Sequence, residues 1–173
     1  MKIKKPQGEE YNPNIVPYIN LIPGDGQLIK HLANNLKKIE SFILSIPRKK
    51  LQYRYAENKW TIKEILVHIM DHERIYVYRA LRIARNDKTP LPGYNADDYA
   101  SYSRANERSL KEIFEEYNTV RNATISLFKS FNEAEFLRTG MAIGHTVSAR
   151  ALAYHIAGHE LHHMNIIKER YLK

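Results

Sequence analysis

The sequence predicts an all-α protein, a four-helix bundle whose helices are joined by long crossover connections. Apolar residues recur every three or four positions in four long segments, which is the period of an amphipathic helix. Stretches rich in Pro, Gly and Asn separate the segments, and only residues 53–55 and 141–143 are candidates for short strands. Four amphipathic helices of about 20 residues can bury their apolar faces against one another, which favours a bundle.

The first two helices have clear boundaries in the sequence. The first is predicted over residues 27–46, where leucine and isoleucine recur at helical spacing until Pro47 ends the segment. The second begins at Thr61, because Thr61 and Glu64 have the spacing of a capping box, in which side chains satisfy the free backbone N–H groups. Its apolar period continues for about six turns.

The remaining two helices are delimited in the same way. Ser109 and Glu112 form a second capping box and begin a helix that extends to about residue 131. A loop rich in Pro and Gly precedes it, with a short helical piece over residues 97–106. Gly144 interrupts the chain before the last helix, which is predicted over residues 146–171.

Length and composition predict one domain over residues 1–173, with residues 1–10 as a loose N-terminal tail. The chain has no cysteine, which excludes disulfides and thiolate ligands and is typical of a reducing cytoplasm. No apolar run approaches the roughly 20 residues that cross a bilayer, so we expect a cytoplasmic protein without a membrane partner. The net charge of +8 is spread among interspersed acids, which indicates a solvated basic surface and no nucleic-acid partner.

Histidines on one face of the last predicted helix are the strongest functional signal. His155, His159 and His163 are spaced by four residues, a step that turns a helix by about 40° and climbs about 6 Å. Two imidazoles at this spacing can bind one metal ion, and His68 in the apolar stripe of the second helix can supply a third ligand. Neutral imidazoles buried without partners would cost several kcal/mol. The pattern therefore predicts a metal site made of His68, His159 and His163.

Other polar residues near this site have supporting roles in the prediction. One helix rarely gives three successive ligands to one ion, so His155 is expected to support the site or line its cavity. Asp71 and Glu160 are candidates to orient a ligating imidazole through its free N–H. His72 follows His68 by four residues and is an alternative ligand, although its acidic neighbours suit a polar surface position.

These motifs resemble the DinB/YfiT-like superfamily of metal-binding four-helix bundles. The resemblance covers nearly the whole chain and implies that His68, His159 and His163 bind one divalent ion, often in a homodimer. It rests on Trp60-Thr61 followed by Glu64, on His68 to Asp71 and Glu73, on Pro92-Gly93-Tyr94, and on His159-Glu-Leu-His-His163.

The resemblance also implies a class of reaction. Similar proteins transfer low-molecular-weight thiols to electrophiles or are described as metal-dependent hydrolases. We therefore predict a metal-dependent enzyme, a thiol S-transferase or a hydrolase, that acts on a small-molecule substrate. Three neutral imidazoles leave the ion with an open position, at which the pKa of a bound water falls towards about 7 and a bound thiol ionises. We expect Zn or Ni, with Fe or Mn as alternatives, and a low-molecular-weight thiol as a possible co-substrate.

The alternative function is a non-catalytic, metal-stabilised binding or stress-response protein. That alternative predicts a closed fourth coordination position, with His72 or Glu73 as the closing ligand. The sequence identifies no catalytic acid or base. Tyrosines of the long loop, Tyr94, Tyr99 and Tyr102, are candidates to line the mouth of the site.

Overall fold

The computed structural model describes residues 2–173 and confirms the four-helix bundle. Its bundle helices are α2, α3, α5 and α7, and a two-stranded hairpin precedes α7. Within residues 2–173, no helix combines the length and the apolar character that crossing a bilayer requires. In chain order the elements are α1 (Val16–Asn20), α2 (Leu28–Leu44), α3 (Ile62–Ala84), α4 (Ala96–Tyr102), α5 (Leu110–Ser130), α6 (Glu133–Leu137), β1 (Thr139–Ala142), β2 (His145–Ser148) and α7 (Ala149–Ile166).

The order of the bundle helices in space differs from their order along the chain. α2 packs against α5 and α7, and α3 packs against the same two helices. Successive bundle helices α2 and α3 therefore lie on a diagonal, as do α5 and α7. The connections over residues 45–61 and 131–148 cross the bundle, which confirms the predicted crossovers, since a simple up-down bundle keeps successive helices adjacent.

Both predicted capping boxes are present. The Thr61 hydroxyl accepts a hydrogen bond from the Glu64 backbone N–H at 3.1 Å, and the Glu64 carboxylate accepts one from the Thr61 N–H at 2.7 Å. Ser109 and Glu112 make the same reciprocal pair, at 3.2 and 2.7 Å. These bonds define the first turn of α3 and of α5, and the start of α3 places His68 in its second turn.

The sequence placed the start of the last helix too early, because residues 145–148 form β2 instead of a first helical turn. The hairpin turns at Ile143 and Gly144, whose φ angles of 54° and 74° are both positive, as in the turns that best connect two strands. α7 then begins after Ser148, whose hydroxyl accepts a hydrogen bond from the Ala151 N–H at 3.0 Å. The N-cap residue therefore lies three positions later than the sequence pattern indicated.

The N-terminal segment is packed, in contrast to the loose tail expected over residues 1–10. Ile3 is buried, and its carbonyl accepts a hydrogen bond from the Tyr154 hydroxyl at 2.8 Å. The Glu10 carboxylate accepts hydrogen bonds from Arg150 at 2.6 Å and from Ser148 at 2.7 Å. These contacts join residues far apart in the sequence, so the polar composition of the segment did not reveal them. Met1 lies outside the described residues.

A glycine in the middle of α7 allows α1 to approach that helix closely. A Cβ atom added at Gly158 would lie 2.1 Å from the carbonyl oxygen of Tyr18 in α1. Backbone atoms cannot move aside as a flexible side chain can, so the contact between the two helices requires glycine at this position. α1 therefore depends on Gly158 to cover the centre of α7.

We expect Gly158→Ala to destabilise the protein by about 1–3 kcal/mol through overpacking. The intrinsic preference of helices for alanine favours the substitution by about 1 kcal/mol, so the sign of the measured change separates the two effects. Urea unfolding of wild type and variant measures the change. Gly8→Ala is the control, because a Cβ at Gly8 meets no atom within 4 Å. A Gly158→Ala variant more stable than wild type would contradict the close approach of α1.

Candidate metal centre

α3 and α7 pack against each other and bring three of the predicted residues together. His68 projects from α3, and His159 and His163 project from successive turns of α7. The Nε2 atom of His159 lies 3.1 Å from that of His68 and 3.1 Å from that of His163. One ring nitrogen from each of the three residues lies within 4.8 Å of the others. We call this cluster the histidine triad.

Hydrogen bonds alone cannot satisfy the triad. A neutral imidazole has one N–H and one lone pair, so the Nε2 atom of His159 can make only one of its two close contacts as a hydrogen bond. The Nδ1 atoms of all three rings are buried and have no partner among residues 2–173. Imidazole ligands of a tetrahedral zinc ion, each about 2.05 Å from the metal, would be about 3.3 Å apart. The donor set therefore fits a metal ion better than a hydrogen-bonded cluster.

Burial keeps the triad neutral. Burial lowers the pKa of His68 to about 4, although the negative charge of Asp97 acts to raise it. Burial also lowers the pKa of His163 to about 3. The pKa of His159 is also well below its usual value, because burial and the neighbouring histidines disfavour its charged form. All three rings therefore keep a free lone pair at pH 7, as metal binding requires.

An aromatic residue and an acid frame the open side of the triad. The Trp60 ring lies 4.5 Å from the His68 ring and 6.2 Å from the His163 ring, measured between centroids. A cavity of about 210 Å³, which we call the Trp60 cavity, opens beside it and is lined by His163, Asp97 and Lys59 among others. No sequence motif connects Asp97 of α4 with the histidines of α3 and α7, so the sequence pattern did not indicate it.

Two further histidines, His72 and His155, are buried beside the triad. His72, expected at a polar surface position, stacks between Tyr76 and His159 at centroid distances of 3.8 and 3.7 Å. Its Nδ1 atom lies 3.3 Å from the Tyr94 hydroxyl, and its Nε2 atom has no partner among the described residues. His155 stacks on Tyr18 at 4.7 Å and lines a separate cavity of about 220 Å³. The surface interpretation of His72 was wrong because its ring packs against His159 of α7 and lies beside Tyr94 of the loop before α4.

The carboxylates expected to orient the imidazoles have other partners. Asp71 pairs with Arg74 at 3.2 Å. Glu160 pairs with Arg121 at 2.5 Å, and Glu73, expected as a closing ligand, pairs with the same arginine at 2.8 Å. Position 160 is rotated by about 100° from position 159 on α7, so Glu160 faces away from the triad. Among residues 2–173, none of these three carboxylates bonds to a triad nitrogen.

Arg121 and its two carboxylates form a buried network behind the triad. All three side chains are at most 1% exposed, and Arg121 also donates to the Leu32 carbonyl at 2.6 Å. The Tyr117 hydroxyl donates to Glu160 at 2.6 Å. Because Glu160 directly follows His159, the network anchors the turn of α7 that carries the central histidine. The network contains two carboxylates and one guanidinium. Burial raises the pKa of Glu160, and the positive charge of Arg121 opposes this rise.

Comparisons with known proteins agree with this architecture. A relative from Oceanobacillus iheyensis, which carries the name "Putative metal-dependent hydrolase", is 25% identical over an alignment of 152 positions, and the match covers 81% of this chain and 85% of that protein. The structure of YfiT from Bacillus subtilis, described as a probable metal-dependent hydrolase with an unusual four-helix bundle topology, has the same fold. The structural match covers 95% of this chain and 93% of YfiT, with a TM-score of 0.69 and 11% sequence identity. The sequence pattern of the DinB superfamily matches residues 31–167, and the chain belongs to that superfamily.

Proposed function

We propose that the chain binds one divalent metal ion through the Nε2 atoms of His68, His159 and His163 and acts as a metal-dependent enzyme on a small molecule. The observation that carries the proposal is the convergence of three buried, neutral imidazoles whose close contacts hydrogen bonds cannot satisfy. Zn or Ni is the proposed metal, since imidazole ligands suit both, and Fe or Mn is the alternative.

An open fourth position distinguishes an enzyme from a structural metal site. Glu73 cannot close the site while it is paired with Arg121. Among residues 2–173, the candidate ligand cluster holds only the three histidines of the triad. These observations support a catalytic site over the non-catalytic, metal-stabilised alternative.

The side chains around the Trp60 cavity have distinct roles in the proposed reaction. A divalent ion held by the triad supplies Lewis-acid chemistry, which lowers the pKa of a coordinated water or thiol. The indole of Trp60 covers the His68 ring and shields it from water. Asp97 lines the same cavity as His163, so its carboxylate is placed to accept a proton from a substrate in that cavity.

Hydrolysis is the first candidate reaction, because the Oceanobacillus iheyensis relative is named as a metal-dependent hydrolase. Thiol transfer is the second, because the net charge of +8 favours an anionic co-substrate such as a low-molecular-weight thiol. The chain has no cysteine, so the thiol would enter with the substrate. We also propose that residues 1–173 act as one domain and that the protein is a homodimer, which light scattering of the purified chain tests.

We expect about one divalent ion per chain in protein purified without a nickel column, measured by plasma mass spectrometry. His163→Ala removes one of three ligands and should reduce the metal content to below about a tenth, because two imidazoles hold the ion much more weakly. His162→Ala is the matched control, since it removes the adjacent histidine, which is outside the triad. Wild-type protein that contains no metal and does not bind added Zn or Ni would contradict the proposal.

The same three proteins then serve to identify the reaction. Ester hydrolysis is assayed with a p-nitrophenyl ester, and thiol transfer is assayed with cysteine and chlorodinitrobenzene. We expect one activity to fall at least about 100-fold in His163→Ala and to stay within about twofold of wild type in His162→Ala. Metal bound stoichiometrically without either activity would favour the non-catalytic alternative.

A further inference from the structure

Arg79 is a deeply buried cation without an acidic partner. Its side chain is 2% exposed, and among residues 2–173 no carboxylate forms an ion pair with it. One guanidinium nitrogen, Nη2, donates to the Pro92 carbonyl at 2.6 Å. The other, Nη1, is buried and has no partner among the described residues. Within residues 2–173, Arg79 therefore has no acidic partner, and its Nη1 donor has no hydrogen-bond acceptor.

The other fully buried arginine of the described chain shows what such a charge normally requires. Arg121 pairs with two buried carboxylates, Glu73 and Glu160, and donates to a backbone carbonyl. A buried charge without a counter-charge is strongly unfavourable, because removal from water is not offset by attraction to an opposite charge. An anion beside Arg79 would provide the missing partner.

Arg79 lines a cavity of about 220 Å³ that has room for such an anion. We call it the Arg79 cavity. The guanidinium lies over the Tyr76 ring, 4.8 Å from its centroid, which fixes the orientation of the charge. His155 forms another part of the wall and is neutral at pH 7, since burial lowers its pKa to about 3. Asn12, Asn14, His145 and Thr146 add further polar groups to the lining, and no acidic residue of the described chain lines the cavity.

We propose that the Arg79 cavity binds the anionic group, a carboxylate or a phosphate, of a small molecule. Arginine is the residue best suited to both groups, because its charged N–H donors form strong hydrogen bonds with their oxygens. Arg79 lies about 16 Å along α3 from His68. No triad histidine lines the Arg79 cavity, although the ring of His155 in its wall lies 5.9 Å from the His159 ring. The proposal does not depend on metal binding.

Calorimetric titration of the full, metal-free chain with inorganic phosphate and, separately, with succinate tests the proposal. We expect one of the two anions to bind with a dissociation constant of about 1 mM or lower. Arg79→Gln removes the charge and should weaken that binding at least about tenfold. Thr146→Trp fills the cavity from an exposed position of β2 and should weaken binding as much, which keeps the test decisive if Arg79→Gln does not fold.

Two control variants separate this site from other sources of anion binding. Arg82→Gln removes a charge one turn further along α3, where Arg82 pairs with Asp87, and should leave the dissociation constant within about twofold of wild type. His163→Ala should also leave it unchanged, even if the metal proposal fails. No binding of either anion by wild type would overturn the proposal, as would equal binding by wild type and Arg79→Gln. If Arg82→Gln weakened anion binding as much as Arg79→Gln, the binding would be a general effect of charge. Loss of anion binding in His163→Ala would place the anion at the triad.

Discussion

Metal-free protein should lose at least about 5–6 kcal/mol of its free energy of unfolding between pH 7 and pH 5. Burial lowers the pKa of His68 to about 4 and the pKa values of His155 and His163 to about 3. An unfolded histidine takes up a proton near pH 6.5, so each of the three favours the unfolded state by about 1.9 kcal/mol at pH 5. Burial also lowers the pKa values of His72 and His159, which adds to the effect.

The direction of this pH dependence follows from the lowered pKa values. A group with a folded-state pKa below its unfolded value contributes its full stability above about pH 6.5, and this is lost as the pH falls towards the folded-state pKa. Glu160 and Asp71 act in the opposite direction, because burial raises their pKa values. Two carboxyl groups cannot offset five buried imidazoles over this pH range, so acid should unfold the metal-free chain.

Urea unfolding at pH 7, 6 and 5 measures this loss. His155→Phe is the informative control, because it removes one buried imidazole outside the triad and should reduce the loss by about 1.9 kcal/mol. Bound Zn should shift the whole transition to lower pH, since protons and metal compete for the same nitrogens. Unfolding free energies that agree at pH 7 and pH 5 would show that the imidazoles are hydrated in the folded protein.

The second large effect is expected at the buried network of α3, α5 and α7. Arg121→Leu should destabilise the protein by about 3–5 kcal/mol, because it leaves the carboxylates of Glu73 and Glu160 buried without a counter-charge. The Tyr117 hydroxyl bonds to only one of them, so it cannot replace the guanidinium. The loss is a large fraction of the stability of an ordinary domain, and thermal and urea unfolding both measure it.

An exposed arginine with two acidic partners provides the matched control. Arg74 pairs with Asp71 and Glu116 but is 44% exposed, so Arg74→Leu should change the unfolding free energy by at most about 1 kcal/mol. Removing both carboxylates together with Arg121, as in Arg121→Leu with Glu73→Leu and Glu160→Leu, should recover part of the loss. Equal effects of Arg121→Leu and Arg74→Leu would contradict the network as a buried charge cluster.

Local signals in the sequence predicted much of the fold. The helical period and the two capping boxes at Thr61 and Ser109 act within a few residues, so they can be identified without tertiary information. The histidine spacing on α7 is equally local, and together with the apolar stripe around His68 it predicted which three imidazoles the fold brings together. The packing of α1 on Gly158 was missed because it depends on a contact between distant segments. The hairpin is local, and its second strand was missed because the prediction began the last helix at residue 146.

The sequence by itself determined the four amphipathic helices and the helix faces that carry His68, His159 and His163, because both follow from the 3.6-residue period of the helix. Only the tertiary structure decided where the charged side chains find partners. It paired Glu73 and Glu160 with Arg121 instead of the triad, and it left Arg79 without an acid. The physical reason is that the energy of a buried charge depends on neighbours from other elements, which no periodicity along one helix reveals.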